Sequence, residues 1–322
     1  MKSFLPMRRA ALVAFGWSAA LLLGLSTPAL AQSDPAFTYG KVEETPEVKK
    51  AVWKASAQAG LLLATGNSNS LTVSGGGSVS RVDARNKLAL DVEARFGQTT
   101  TLGPRAGLVP LADGNVPIAS YDDIISNTAI STQYWGVKLR YDRFFSKNNL
   151  GYIVGQAMGD DPAGKHVFGG GQIGYSRQLY KTERNELLAE LGYDFTFVVF
   201  TKADTSAVYI HSLRAFLGYN LTLSKDTAIN TGIEGLFNLN TYASPGFPDP
   251  ITPFQDSRVN FKTALNTRLH KNVSFRFSFK VRFDNVPAPR AAIPGAEYVG
   301  GFTPLAETVD TLSEAALIVN FL

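Results

Sequence analysis

The chain of 322 residues carries 31 Lys and Arg against 27 Asp and Glu and has no cysteine, which excludes disulfide bonds, thiolate nucleophiles and cysteine-ligated metals. Three of the cations precede an uncharged apolar stretch at 10–25 and a small-residue site at 29–31. This order is typical of a secretory signal, so residues 1–31 are predicted to be cleaved. The mature chain then has 28 cations against 27 anions, which excludes the basic surface that nucleic-acid binding requires.

Residues 32–50 are rich in Glu, Pro and Lys and show no alternation, which predicts a flexible periplasmic N-terminal tail. From Trp53 to the last residue, apolar residues alternate with polar or small ones, the period of a β-strand. The clearest instance is 273–283, where every odd position is Val or Phe and every even one is Ser, Arg or Lys. No stretch after the signal is apolar for 18 residues, so a membrane-spanning domain at 51–322 must use strands.

Twelve segments carry this alternation, and the connections between them alternate in length. The segments lie at about 53–65, 69–81, 87–99, 127–142, 149–159, 165–179, 186–200, 206–223, 227–240, 256–270, 272–284 and 307–322. Every second connection is a tight turn, whereas 100–126, 241–255 and 285–306 are long and rich in Pro and Gly. This asymmetry predicts an all-β fold, a single antiparallel transmembrane β-barrel of about 12 strands with both termini periplasmic.

The C-terminal segment predicts how the barrel closes and where it resides. Ala315, Leu317, Val319 and Phe321 share one face, and an apolar last strand with a near-terminal aromatic resembles the assembly signal of outer-membrane proteins. We therefore expect localisation in the bacterial outer membrane. The expected partners are outer-membrane lipid, the assembly machinery through the C-terminal strand, and small solutes, with no nucleic acid.

Several short motifs resemble one known family. They are the opening from Trp53 to Thr65-Gly66-Asn67-Ser68-Asn69, the turn entry Tyr141-Asp142-Arg143-Phe144, and the glycine–tyrosine patterns of 169–175 and 190–193. On these motifs, residues 53–322 resemble the salt-induced outer-membrane protein family, also catalogued as domain of unknown function 481. The resemblance implies an outer-membrane barrel and no established activity.

Two motifs suggest chemistry and have simpler interpretations. Residues 169–174 match the dinucleotide pattern G-x-G-x-x-G, but the sequence continues as a strand where that site needs a helix, so close strand packing is the preferred interpretation. A serine hydrolase would need a histidine as base, and the chain has three: His166, His211 and His270. His211 is next to Ser212 in the sequence, but neighbouring residues of a strand point to opposite faces, so the two side chains cannot meet. No enzymatic activity, cofactor or metal is expected.

The inward positions carry charge of both signs, in an uneven distribution. The candidate lumen-lining residues are Arg258, Lys262, Arg268, Arg276, Lys280 and Arg282 on a basic wall, Glu186, Glu190 and Asp194 on an acidic wall, and Arg214. Opposed charged walls across a narrow pore would select ions or small charged solutes. The sequence therefore predicts a small passive channel or an envelope-stress barrel. The alternatives are a non-conducting structural barrel, whose charges pair across the interior, and an outer-membrane lipid hydrolase.

Overall fold

The fold is a closed barrel in which each strand pairs antiparallel with its neighbour in sequence and β1 pairs with β12. The computed structural model describes residues 51–64, 69–104, 124–201, 207–289, 305 and 308–321. The predicted signal at 1–31 and tail at 32–50 lie outside the described residues. The predicted all-β class, antiparallel topology and strand number are confirmed.

The strands are β1 (Val52–Ala64), β2 (Asn69–Asp83), β3 (Asn86–Pro104), β4 (Ile124–Ser146), β5 (Asn149–Asp160), β6 (Lys165–Lys181), β7 (Asn185–Phe200), β8 (Val208–Thr222), β9 (Thr227–Asn238), β10 (Ser257–His270), β11 (Val273–Asp284) and β12 (Val309–Asn320). A single 3-10 turn, Asp161–Ala163, joins β5 to β6. Within the described residues, no helix is long and apolar enough to cross a membrane.

The two ends of the barrel differ in the length of their connections. Two to four residues join β2 to β3, β4 to β5, β6 to β7, β8 to β9 and β10 to β11, and we call this the short-turn end. β1 begins and β12 ends at the same end. The other connections, which include 239–256 and 285–308, define the long-loop end. The long connections all lie at this end, although 65–68 and 161–164 at the same end are only four residues long.

One predicted loop is shorter than expected. The sequence places a connection at 100–126, whereas β3 continues to Pro104 and β4 starts at Ile124, with these two residues paired. The reason is that β-branched residues flank the predicted boundaries, Thr99 to Thr101 on one side and Ile124 and Ile125 on the other, and such residues favour strand conformation. Residues 105–123 lie outside the described part.

The outer face of the barrel is apolar. Ile153, Ile173, Leu191 and Leu217 expose 45–58% of their surface. Soluble proteins rarely expose such a large continuous apolar surface, whereas transmembrane barrels present one to lipid.

Tyrosines mark the edges of this apolar band. At the short-turn end, Tyr141, Tyr175 and Tyr219 donate hydrogen bonds to Asn86, Asn149 and Asn185, the residues that open the neighbouring strands. On β8, the exposed Tyr209 lies ten positions before Tyr219. Ten residues at a usual strand tilt span about 25 Å along the barrel axis, the height of the apolar band in membrane barrels.

Candidate functional site

Half of the lumen is filled by a chain of buried ion pairs, which we call the central charge network. Arg214 binds Glu234 through Nε at 2.6 Å and Glu190 through Nη1 at 2.8 Å. Arg140 binds Glu190 through Nη2 and Asp142 through Nε, both at 2.7 Å. These five side chains extend from β4, β7, β8 and β9 and are almost completely buried. The network therefore ties four strands together across the interior.

An aromatic ring completes the network. Arg214 also donates to the hydroxyl of Tyr152 at 2.8 Å, and the two guanidinium groups of Arg140 and Arg214 lie 4.5 and 5.5 Å from the ring centre. The ring lies close to the wall because Gly174 and Gly192 face it, and a Cβ at either position would come within 2.6 Å of the Tyr152 hydroxyl. The β4–β9 half is thus packed with side chains.

A second polar feature, the amide collar, follows the wall of the lumen near the short-turn end from β6 to β11 and reaches β1. Its members are Gln58 on β1, Arg276 on β11, Asn266 on β10, Asn230 on β9, Asn220 on β8, Glu186 on β7 and Gln178 on β6. Arg276 donates to Asn266 at 2.6 Å, and each asparagine amide donates to the next acceptor until Asn220 reaches Glu186 at 3.0 Å. From Arg276 to Glu186 every bond points the same way, so this part of the collar runs from a cation to an anion and each bond polarises the next. At its two ends, Arg276 also donates to Gln58 at 3.3 Å and Gln178 donates to Glu186 at 2.6 Å.

The long-loop end is capped on the β6–β11 side by the connection 239–256. Asn238, fully buried at the end of β9, donates to the carbonyls of Asn240 and Thr252 at 2.8 and 2.9 Å. Tyr242 packs on the apolar cluster at this mouth and donates to Asp256 at 2.8 Å. Burial, together with the Asp256 carboxylate, raises the pKa of Tyr242, so its hydroxyl remains a donor at neutral pH. These contacts hold the loop against the lumen.

The other half of the interior contains a cavity of about 280 Å³, the lumen cavity. Nine strands contribute to its lining, from β1 to β5 and from β9 to β12. Its polar lining residues include Gln58, Ser78, Asp91, Glu93, Lys138, Asn230, Lys262, Asn266 and Arg276. The barrel thus combines a packed β4–β9 half with a cavity lined by charged and amide side chains.

The predicted acidic residues lie in three different settings. Glu190 belongs to the central charge network with Arg214, and Glu186 ends the amide collar. Asp194 accepts hydrogen bonds from Gln172 at 2.8 Å and Thr196 at 2.7 Å. All three side chains point inward and are buried, but none lines the lumen cavity.

The predicted basic residues are distributed along the height of β10 and β11. Lys262 and Arg276 line the lumen cavity. Arg258 and Arg282 line a smaller cavity of about 50 Å³ under the cap, and Lys280 lies between the two levels. Arg268 differs from the others because its side chain is 57% exposed and binds Asp226 in the β8–β9 turn, so it lies at the rim of the barrel.

The described histidines form no contact with a serine hydroxyl. His211 lies on the outer face, where its Nδ1 bonds the Tyr193 hydroxyl, and His166 bonds Asp161 at 2.9 Å. Ser212 points inward and accepts a hydrogen bond from Arg258 at 3.2 Å. Within the described residues, no group of three His, Cys, Asp or Glu is placed to hold a metal.

The family model described as "Protein of unknown function, DUF481" matches residues 57–321, most of the chain. The chain belongs to this family. The match includes β1 from residue 57 onward, β2 to β12, the central charge network and the lining of the lumen cavity, except Ser56. No curated protein sequence matches the chain.

Several solved structures are similar to this DUF481 barrel in outline. The NanC porin is 8% identical, with 83% of this chain and 97% of that chain covered and a TM-score of 0.38. The translocator domain of the autotransporter NalP from Neisseria meningitidis is 10% identical, with 84% and 88% covered and a TM-score of 0.38. The COG4313 outer membrane channel from Pseudomonas putida F1 is 10% identical, with 88% and 100% covered and a TM-score of 0.42.

Two sets of residues in the DUF481 barrel are missing from the predicted lumen-lining residues. Arg140, Asp142 and Glu234 complete the central charge network, and Asn230 and Asn266 form the middle of the amide collar. The spacing of Arg140 and Asp142, two residues apart on one strand face, is a signal in the sequence. The partner of Arg140 on a distant strand, Glu190, can be identified only once the pairing of all strands in the closed barrel is known.

Proposed function

We propose that this protein is an outer-membrane barrel that acts as a narrow passive channel for ions or small charged solutes. The lumen cavity carries the proposal, because charged and amide side chains from six of its nine lining strands face a space of about 280 Å³ beside the packed half. A polar interior next to an apolar outer face is the arrangement of barrels that hold water in a membrane. The passage would run along β1–β3 and β10–β12.

The orientation in this proposal follows from the connections. Short turns face the periplasm and long loops face outward in barrels of this type, so both ends of the barrel sequence would be periplasmic. The apolar face would contact outer-membrane lipid, and the C-terminal strand would engage the assembly machinery. Production of the barrel under salt stress, as the earlier family name suggests, fits this location.

Two alternatives predict different behaviour. A closed structural barrel is favoured by the cap of 239–256, which covers the β6–β11 side of the long-loop end. It predicts no current in a bilayer. A lipid hydrolase predicts turnover that disappears on His211→Ala, although the contact of His211 is with Tyr193 on the outer face.

A pair of cysteine variants tests the channel, since the chain has no native cysteine. Ser78 lines the lumen cavity, whereas the next residue, Val79, exposes 41% of its surface on the outer face. We expect purified wild-type protein to give small unitary currents in planar bilayers. A charged methanethiosulfonate reagent should reduce the current of Ser78→Cys by more than half and leave Val79→Cys unchanged.

The controls separate the channel from the closed barrel. Wild-type protein treated with the same reagent should keep its current, because it has no thiol. Absence of unitary current from folded wild-type protein would support the closed barrel, and equal block of both variants would show that the current does not pass the lumen cavity.

A further inference from the structure

An open apolar groove of about 520 Å³, which we call the outer groove, crosses the outer face from β6 to β10. Three of its lining residues have a single side-chain carbon or none: Ala189 on β7, Ala215 on β8 and Gly235 on β9. Ala215 is the direct cross-strand partner of Gly235 and lies diagonally beside Ala189. The larger side chains of Leu191 and Leu217 are exposed beside them. The small residues therefore form an oblique depression between larger aliphatic groups.

The two ends of the outer groove differ in chemistry. Toward the long-loop end, the ring of Phe237 leans over Gly235, since a Cβ on Gly235 would lie 2.9 Å from that ring. Toward the short-turn end, the groove stops at Arg177 on β6, the direct cross-strand partner of Ala189. Arg177 is exposed and makes no hydrogen bond or ion pair with another described residue. One end is thus aromatic and the other is an arginine whose donors are available.

Arg177 lies at the edge of the apolar band. Tyr175, two residues earlier on the same strand face, donates to Asn149 at the level of the tyrosines that mark this edge. Two residues of a strand advance about 7 Å, so Arg177 lies beyond that edge on the side of the short turns. Glu190 is the one acid among the described residues of the groove, and its carboxylate binds Arg140 in the lumen. The exposed charge of the groove is therefore positive.

An arginine at the equivalent position of β4 is engaged differently. Tyr141 and Arg143 are also two residues apart, and both donate to Asn86 on β3, the arginine at 2.8 Å. The protein itself thus binds the guanidinium of Arg143, which borders no part of the outer groove. Arg177 combines a guanidinium with free donors and an adjoining apolar groove.

We propose that the outer groove binds one glycerophospholipid, with an acyl chain along Ala189, Ala215 and Gly235 and the phosphate on Arg177. Guanidinium groups bind phosphate through paired N–H donors, and these charge-assisted hydrogen bonds are strong. An acyl chain in a depression contacts more protein atoms than it would on a level surface. The inference rests on the proposed outer-membrane location and adds a defined lipid site to the general contact with lipid.

Native mass spectrometry of the detergent-solubilised barrel, titrated with dipalmitoyl phosphatidylglycerol, tests the phosphate contact. We expect wild-type protein to bind a first lipid with a clearly lower Kd than later ones. Arg177→Gln should raise the Kd of the first lipid by about tenfold, because a charge-assisted bond to the phosphate is lost. Arg143→Gln is the matched control, since it removes an outward arginine two residues beyond a tyrosine but away from the groove. It should change the Kd by less than about twofold.

A second pair of variants tests the acyl-chain contact. Ala215→Phe fills the groove and should raise the Kd of the first lipid by at least about fivefold, because the chain loses buried apolar contact. Ala94→Phe is the control, since Ala94 is exposed on the outer face of β3 and does not border the groove. On wild-type protein, dipalmitoylglycerol, which has the same chains and no phosphate, should bind about tenfold more weakly than phosphatidylglycerol.

The outcomes that contradict the site differ from those that contradict the channel. Equal effects within either pair of variants, or equal binding of the two lipids, would overturn the phospholipid site. A wild-type spectrum of lipid-free dimers would also overturn it and assign the groove to a second copy of the chain. Unitary current from the same preparation would in each case leave the channel standing. A discrete first lipid without any current would support the site and contradict the channel.

Discussion

Replacing Arg214 with methionine is expected to destabilise the folded barrel by about 3–5 kcal/mol. Arg214 is 2% exposed and binds the carboxylates of both Glu190 and Glu234. Without the guanidinium, two buried anions remain close together, and Glu234 loses its 2.6 Å ion pair with Arg214. The cost of leaving a buried charge without its partner exceeds the loss of one hydrogen bond severalfold.

Urea unfolding in one detergent, followed by migration on a semi-native gel, measures this change. Arg81→Met is the control, because Arg81 binds Asp83 at a site where both side chains are about half exposed, and such pairs contribute about 0–1 kcal/mol. The double variant Arg214→Met/Glu234→Leu should recover much of the stability, since Glu190 keeps Arg140. If Arg214→Met lowered the free energy of unfolding no more than Arg81→Met, the central charge network would not contribute substantially to the stability of the barrel.

The strand pattern could be predicted from the sequence because each strand faces two different environments. Along β11, the alternation from Val273 to Phe283 follows from an apolar outer face on one side and a polar interior on the other. The same alternation placed Arg214 and Glu190 on the inward face, and in the structure both side chains are buried and paired with each other. The two-residue period of a strand and the residues that favour tight turns are local features of the chain, so they can be recognised in a single sequence.

The pairing of inward side chains could not be predicted, because it depends on which strands face each other across the barrel. Arg140 and Glu190 are 50 residues apart and meet only in the closed lumen. The prediction of two opposed charged walls was therefore incomplete. Glu190 and Arg214 pair within the packed half, and the amide collar connects Arg276 to Glu186 through three asparagines.

The glycines of β6 could be recognised in the sequence, but the neighbouring atoms that require them could not. The sequence indicated that residues 169–174 allow a close approach, and they do lie within a strand. The particular neighbour could not be inferred. Gly170 has φ of 155°, and a Cβ there would lie 1.8 Å from the carbonyl oxygen of Phe195 on β7.

Replacing Gly170 with alanine is therefore expected to cost about 3 kcal/mol or more. The φ angle is one that other residues rarely adopt, and the added methyl group overlaps backbone atoms, which cannot move aside as a flexible side chain can. Because β6 and β7 are paired along almost their whole length, the clash must separate the two strands or shift their register. We expect little folded barrel on a semi-native gel after refolding into detergent micelles.

Three glycines on neighbouring strands give a graded series for this prediction. A Cβ at Gly155 on β5 meets no atom within 4 Å, one at Gly171 comes within 3.3 Å of the Val154 carbonyl oxygen, and one at Gly170 overlaps the Phe195 carbonyl. The urea midpoint should fall little for Gly155→Ala, by an intermediate amount for Gly171→Ala and most for Gly170→Ala. Equal midpoints would show that β6 and β7 are free to separate at Gly170. The predicted order of the urea midpoints instead requires that β6 and β7 stay closely paired at Gly170. Nearby, Gln172 on β6 donates a hydrogen bond to Asp194 on β7.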